Sequence, residues 1–420
     1  MENNETMKLY AERLNRLNSA IALQPTDKVP VAPFFSSYPE RVDGRSYKDL
    51  FYDHEAALAS TVKFYQKYPI IDAAATPVLN SGKSMELLQM QSLDWPGRPG
   101  TKVSDYSSHQ VIEMEPMLQE EYPEMLNDFT GFMLRKYIPR VYPGLKAFAG
   151  LDLNVAGASI SPGLLLGSAL SPEMLETYKL MVQIAAEEAK VTEYTMKFVG
   201  ALAQVGFPTI MTGISEAPYD ILGDYFRGSI GIFEDLTDPD MQGYMEAACE
   251  MFAQQQIRQL SFLQYVEMPY KRVFFPLHKG MDGFMSEEQY ERLYWKPLKK
   301  IIMALIDIGV TPYVYAEGRY DSRIDFLTDV PKGKVYYHLE AVDMKRAKEK
   351  LAGIACISGN LPISLLEFGK KEAVIDRTRR LLDECAPGGG YVFDFDGSLE
   401  NAKEENIDAM FETLDKYGKY

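Results

Sequence analysis

Apolar residues recur along this chain at two spacings, and the two alternate. Leu9, Leu14, Leu17 and Ile21 stand at helical intervals with Pro25 behind them, which predicts an N-terminal helix over 1–25. Residues 28–34 then read as a short strand, 47–67 as a helix and 70–74 as a second strand. Residues 80–145 break the rhythm. Trp95-Pro-Gly-Arg-Pro-Gly100 and scattered Tyr, Met and Pro predict an insertion of loops and short helices with the form of a lid. From 172 onward the pattern is regular. Helices are predicted over 172–202, 238–265, 286–309, 342–351, 371–386 and 402–417. Strands are predicted over 207–211, 272–277, 311–315, 335–338, 354–358 and 390–393.

Strands that alternate with helices build βαβ units and a parallel sheet. Seven or eight such units in one chain favour closure into a (β/α)8 TIM barrel over an open sheet. The expected organisation is one barrel domain over 1–420, with the N-terminal helix in front and the insertion of about 80–145 inside it. A dinucleotide-binding sheet would carry a glycine-rich first turn, and no G-x-G-x-x-G follows an early strand. Gly388-Gly-Gly390 precedes a strand rather than a helix, so it reads as a turn.

In such a barrel the chemistry sits where the strands end. His278 follows 272–277, with Asp282 nearby. Glu317-Gly318 follows 311–315, and His338 closes 335–338 with Glu340 next. Asn360 follows 354–358, and Asp394 and Asp396 follow 390–393. Two histidines and several carboxylates on one rim are the donor types of a catalytic zinc, which takes three protein ligands and keeps one position open. Each residue also has a plainer use. A histidine at a strand end is often a hydrogen-bonded structural group. Glu317 could cap a helix, though Asp321 and Ser322 suit that better, and Asp394 and Asp396 could cap the last helix. Cys356 reads as a small buried hydrophobe, and His54 and His109 as structural or surface residues. Phe274, Phe275, Tyr313, Tyr315, Tyr336, Tyr337, Phe393 and Phe395 crowd the strand ends. Aromatics there either pack core or form a flat slot for a planar ligand.

Composition narrows the classes. Of 420 residues, 46% are hydrophobic and 25% charged, which is globular; the net charge of −16 argues against a basic nucleic-acid surface. Cys249, Cys356 and Cys385 are odd in number and far apart, so no disulfide framework is expected. The polar N-terminus has no signal-peptide core, and no run of 18 apolar residues predicts a membrane span. A reducing cytoplasm is the expected compartment.

Several stretches resemble one superfamily, that of uroporphyrinogen decarboxylase and the cobalamin-dependent methyltransferases. They are 16–31, the segment Ala217-Pro-Tyr-Asp-Ile-Leu-Gly-Asp-Tyr-Phe-Arg-Gly228 with Phe233-Glu-Asp-Leu, and 286–298. Gly359-Asn-Leu-Pro362, Gly388-Gly-Gly-Tyr391 and Glu405-Asn-Ile-Asp-Ala-Met410 complete the set. The resemblance spans nearly the whole chain outside 80–145 and implies the barrel. The decarboxylase branch carries an arginine-rich segment for porphyrinogen carboxylates; 31–37 here has no arginine, and an acidic chain suits that substrate poorly. The methyltransferase branch is similar to zinc enzymes working with a corrinoid protein. Its thiol-activating members have His-x-Cys-Gly at one strand end and a later cysteine. Here the first reads Tyr315-Ala-Glu317-Gly318 and the second falls near Asp394 and Asp396, so carboxylates replace thiolates.

That exchange implies a harder Lewis acid suited to oxygen. The resemblance therefore implies an ether-cleaving methyltransferase: methyl passes from a small aromatic methyl ether to the cobalt(I) of a separate corrinoid protein. Zinc would be held by Glu317 and His338 with a third ligand from Asp394, Asp396 or His278. Tyr313, Tyr315 or Tyr337 would assist the departing oxygen, and Phe274, Phe275, Tyr336, Phe393 and Asn360 would line the substrate. No D-x-H-x-x-G cobalamin module is present, so the corrinoid must come in trans. Methanol, methylamine or thiol donors are alternatives, as is a metal-independent decarboxylase. A homodimer stays open. No nucleic-acid or membrane partner is expected.

Overall fold

The computed structural model describes residues 2–156 and 159–420. A two-stranded antiparallel ladder, β1 (Leu93–Asp94) and β2 (Gln110–Val111), lies in the insertion. The main sheet is six-stranded and parallel, in the order β3 (Gly213–Ile214), β4 (Arg272–Leu277), β5 (Thr311–Ala316), β6 (Tyr336–Leu339), β7 (Cys356–Ser358) and β8 (Tyr391–Val392). Sequential strands are neighbours throughout, and helices connect them, as βαβ geometry requires.

Isolated parallel bridges extend both edges. Val31 pairs with Phe393 beside β8, and Ala74 pairs with Thr209 just ahead of β3. Asp72 N–H donates to Val31 O at 2.7 Å, which joins the two added segments. The segments predicted as strands over 28–34, 70–74 and 207–211 therefore occupy strand positions but are not ladders. Pro30, Pro33 and Pro208 supply the reason: a proline has no N–H to donate, so pairing is confined to single bridges.

Residues along the strands alternate between two faces. Val273, Phe275, Val314, Tyr337, Ile357 and Phe393 join the main core under the helices. Phe274, Tyr313, Tyr336, Cys356 and Val392 form a second cluster on the other, inner face, with Ala32, Ala73 and Ile210 from the bridged segments. Leu17, Ala20 and Ile21 of the N-terminal helix (Glu2–Ile21) belong to this second cluster and close its floor. Arg272 is buried there too. Its guanidinium donates to Thr209 O and Ile210 O at 3.1 and 2.8 Å and to Asn18 Oδ1 at 3.1 Å, over the Tyr270 ring.

The helices follow their patterns with local breaks. The stretch 47–67 divides into Asp49–Tyr52 and His54–Lys67 at Asp53, whose side chain accepts from Ala56 N–H and caps the second piece. The stretch 286–309 starts in a Ser286/Gln289 capping box and passes through a π turn over Tyr290–Trp295 before Lys296–Asp307. Pro172–Gln204 runs as one helix from the Ser171 cap. The insertion holds the short helices Gly82–Leu88 and Tyr122–Asn127, as its irregular pattern predicts. Neither Asp321 nor Ser322 caps a helix. Both instead join loops, Asp321 Oδ1 accepting from Asp343 N–H and the Ser322 hydroxyl donating to Asp282. Among the described residues no helix is long and apolar enough to cross a membrane. The three cysteines are free and buried.

Candidate active site at the strand ends

The pairing register sets the tiers of the inner face. Phe274, Tyr313, Tyr336 and Cys356 are consecutive partners, and one tier above them Pro276, Tyr315, His338 and Ser358 are partners in turn. Two residues further along each strand, on the same face by the period of two, come His278, Glu317, Glu340 and Asn360. The inner face thus changes from aromatic to ionisable as it reaches the carboxyl ends.

His278 is the centre of one group. Its Nδ1 lies 2.6 Å from Asp224 Oδ2, and its Nε2 lies 3.9 Å from Glu317 Oε1. Asp224 also binds Lys279 Nζ at 2.5 Å. Asp220, fully buried, accepts the backbone N–H groups of His278 and Lys279, both at 2.9 Å, and the Tyr294 hydroxyl at 2.6 Å. Asp220 and Asp224 are four apart across the start of a π turn (Ile221–Arg227), a form often found at functional sites. The loop also depends on Gly280, where an added Cβ would fall 2.5 Å from the Tyr320 hydroxyl.

The charges follow from these contacts. Burial opposes charge on His278, but Asp224, Asp220 and Glu317 outweigh it and raise its pKa to about 9. His278 is therefore an imidazolium at neutral pH. Burial pushes the Asp220 carboxyl up to about 7 and raises Glu317. Asp224 is held below the usual carboxylate range because His278 and Lys279 overcome its burial.

His338 forms a second, deeper group. Its Nδ1 is 2.9 Å from Asp394 Oδ2, with both side chains almost wholly buried. The other oxygen of Asp394 accepts from Phe34 N–H and Phe395 N–H, each at 2.8 Å, which fixes the carboxylate. Nε2 is buried without a hydrogen-bond partner. The Tyr315 ring stands edge-on to the imidazole at 4.3 Å, and its hydroxyl donates to Asp396 O at 3.1 Å. Asp396 Oδ1 accepts from Ile363 N–H at 2.9 Å, and burial raises its carboxyl. Burial also raises the phenols of Tyr313 and Tyr315, which makes them hydrogen-bond donors rather than sources of a proton.

The structure brings His278 and Glu317 together at one group and His338, Asp394, Tyr315 and Asp396 at the other, with Tyr313 and Tyr336 stacked beneath them at 4.4 Å. Phe274 stacks on Phe34 at 5.8 Å on the same face. Three expected site residues lie elsewhere. Tyr337, Phe275 and Phe393 belong to the outer-face core, and the Tyr337 hydroxyl donates to Leu327 O. The cause is parity: each is one residue out of step with the inward positions. Asn360 is spent on structure, donating to Glu340 O and Val342 O and accepting from Arg377. His54, expected to be structural, bonds Asn80 O at 2.9 Å.

The donors expected to hold zinc are split between the two groups. Among the described residues no three His, Cys, Asp or Glu side chains are grouped to hold an ion. Each histidine has Nδ1 committed to a different aspartate, and the nearest approach of uncommitted donors is the 3.9 Å between His278 Nε2 and Glu317. The residues as placed do not fit a three-ligand zinc centre.

Sequence reasoning missed Asp220, Asp224 and Lys279. A signal was present: two aspartates four apart, on one helix face, soon after a strand-like segment.

A parallel α/β sheet with ionisable groups at its carboxyl ends is the class that fold and site define. Residues 272–417 match the family model described as "Uroporphyrinogen decarboxylase (URO-D)", so the match takes in β4 to β8 and both histidine groups apart from the Asp220–Asp224 turn. The fold is similar to a solved structure described as a methyltransferase from Methanosarcina mazei, with a TM-score of 0.60, 13% identity, and coverage of 96% of this chain and 98% of that one. At that identity the likeness is one of fold. A comparison with curated proteins found no match.

Proposed function

We propose that the bridged segments and the six strands together form a closed (β/α)8 barrel, and that the chain is a methyltransferase. In this reading it moves a methyl group from a methoxylated aromatic compound to the cobalt(I) of a corrinoid on a separate protein. The fold likeness to a methyltransferase supports the reaction class. The observation that carries the site is the His278 imidazolium, partly exposed at the strand ends and oriented by Asp224.

Breaking a methyl ether needs charge relief at the departing oxygen. His278 Nε2 donates its proton there as the C–O electron pair returns to oxygen and the methyl carbon leaves for the acceptor, which supplies the electron pair of the new bond. Glu317, 3.9 Å from Nε2, stabilises the charged ring through its charge. Asp220 holds the backbone of the His278 loop, and Asp224 fixes which nitrogen points outward. The inner-face aromatics Phe34, Phe274 and Tyr315 shield the reacting bond from water. Asp224, Glu317, Glu340 and Asp396 outnumber the cations at the mouth, which suits a neutral ether better than a polyanion.

The test mixes the protein with free cob(I)alamin and 2-methoxyphenol and follows the cobalt(I) absorbance. Donor-dependent loss is expected, and its absence with a panel of methoxybenzenes sinks the reading. The URO-D match favours a second reading, decarboxylation of a small acid. Carbon dioxide release from a small carboxylic acid without any corrinoid would establish it instead.

A further inference from the structure

The helix Pro172–Gln204 turns one face toward its own chain and leaves another bare. Met174, Thr177, Phe198 and Leu202 are buried against the molecule. Leu175, Tyr178, Val182, Ala185, Ala189, Thr192 and Met196 are exposed, and Val199 is half-buried at the end of the same line. We infer that this second face pairs two copies of the chain as an antiparallel homodimer, helix against helix.

The spacing argues for a helix as the occupant. These residues recur at alternating steps of three and four, the seam of a two-helix coiled coil, and all but Thr192 are apolar. A solvent-facing stripe on a surface helix is ordinarily polar, yet Val182 and Met196 are 71% and 66% exposed. From Leu175 to Val199 the helix rises about 36 Å. Leu164, Leu166 and Leu170 add exposed apolar surface beside its first turns, where the Tyr178 hydroxyl donates to Ala169 O. Together they are on the scale of the roughly 800 Å² that each partner of a stable dimer covers.

Self-complementarity argues for a second copy. Turned end over end about a point beside Glu187, the stripe meets itself. Leu175 then stands opposite Val199 of the partner subunit, Tyr178 opposite Met196 of the partner subunit, Val182 opposite Thr192 of the partner subunit and Ala185 opposite Ala189 of the partner subunit. The larger side chains lie toward the ends and the alanines at the centre, where two helices can approach closely. Charge agrees. Lys179 and Glu193 border the stripe on one side, and the same turn sets each Lys179 near Glu193 of the partner subunit. Glu188, on the other border near the axis, is engaged by the Ser84 hydroxyl of its own chain.

Sedimentation equilibrium of the full chain should give twice 47.6 kDa. Val182→Glu changes an exposed position, so it should keep the wild-type circular dichroism. It should raise the dimer Kd at least about a hundredfold, because the two-fold axis puts two unpaired charges into the seam. Oxidation should link Leu175→Cys/Val199→Cys into a covalent dimer and leave either single variant unlinked. The three native cysteines are buried and take no part. A wild type that stays monomeric at about 100 μM overturns the inference and leaves the face to a different protein. A folded Val182→Glu that dimerises as before, a double-cysteine variant that does not link, or linking by Leu175→Cys alone overturns it as well.

Discussion

Replacing Asp224 with asparagine isolates the charge that keeps His278 protonated. The change is nearly isosteric, so Oδ1 can still accept from the ring, but the negative charge 2.6 Å from Nδ1 disappears. Four influences set the His278 pKa: burial, which lowers it, and Asp224, Asp220 and Glu317, which raise it to about 9 from the ordinary 6.5. An opposite charge in contact is worth roughly 1–3 pH units. Asp224→Asn should therefore bring His278 down by about that much, to between about 6 and 8, where Asp220 and Glu317 alone oppose burial. The sign for activity follows from the proposed role. An acid works only while protonated, so the alkaline limb of kcat/KM against pH should stand near 9 in the wild type and move to lower pH in the variant. The sign for stability is the same. A raised histidine pKa stabilises fully below the unfolded value of 6.5 and loses that contribution as pH rises toward 9. Histidine titration by nuclear magnetic resonance reads the pKa directly, and the pH–rate profile reads its use. With only four histidines in the chain, assignment is simple. A His278 pKa unchanged in Asp224→Asn would refute the electrostatic argument. A shifted pKa with an unmoved rate profile would refute the role as acid.

Further outcomes are expected elsewhere. Glu40 is buried with its carboxyl pushed up to about 7, so its proton is bound in the folded state through a range where the unfolded chain has lost it. Stability should fall between about pH 4.5 and 7, and Glu40→Gln should recover about 3 kcal/mol at pH 8 and almost nothing at pH 4, by urea unfolding; parallel curves for the two proteins would contradict this. Arg272→Met removes four contacts of the buried guanidinium and strands two carbonyls, so melting should reveal a loss of about 2–6 kcal/mol. A loss under about 1 kcal/mol would mean that the floor repacks. Metal analysis should find well under one zinc per chain, and added zinc should leave Tm unchanged; stoichiometric zinc would show that the two histidine groups close together in solution.

How much was legible beforehand depended on the range of the interaction. β4 to β8 follow from runs such as Arg272–Leu277, where nearly every residue is buried on both faces, as parallel strands demand. His278, Glu317 and Asp394 follow from standing just past those runs, and His338 from standing near the end of one. The outward placement of Tyr337, Phe275 and Phe393 was also readable, because two-residue periodicity from His338, Phe274 and Asp394 already assigns them to the other face. The partnerships were not readable. His338 meets Asp394 across 56 residues and His278 meets Asp224 across 54, and only the tertiary packing decides which carboxylate reaches which ring. The sequence pattern offered the right donor types for a metal and could not reveal that each histidine is spoken for by a different acid.

Arg227 links the insertion to the same turn that carries Asp224. Its guanidinium binds Asp235 through Nε at 2.6 Å and NH2 at 3.1 Å, donates to Met117 O at 2.6 Å and pairs with Glu115, while the Tyr122 hydroxyl shares Asp235. A flap hinged at 115–122 would have to tear this buried pair open on every turnover. At about 3–5 kcal/mol for breaking such a pair, the open form would be one molecule in hundreds to thousands. Access to the site is then rare if it waits for the whole insertion to swing. Under the proposed function, the insertion is a fixed wall beside the site rather than a segment that swings.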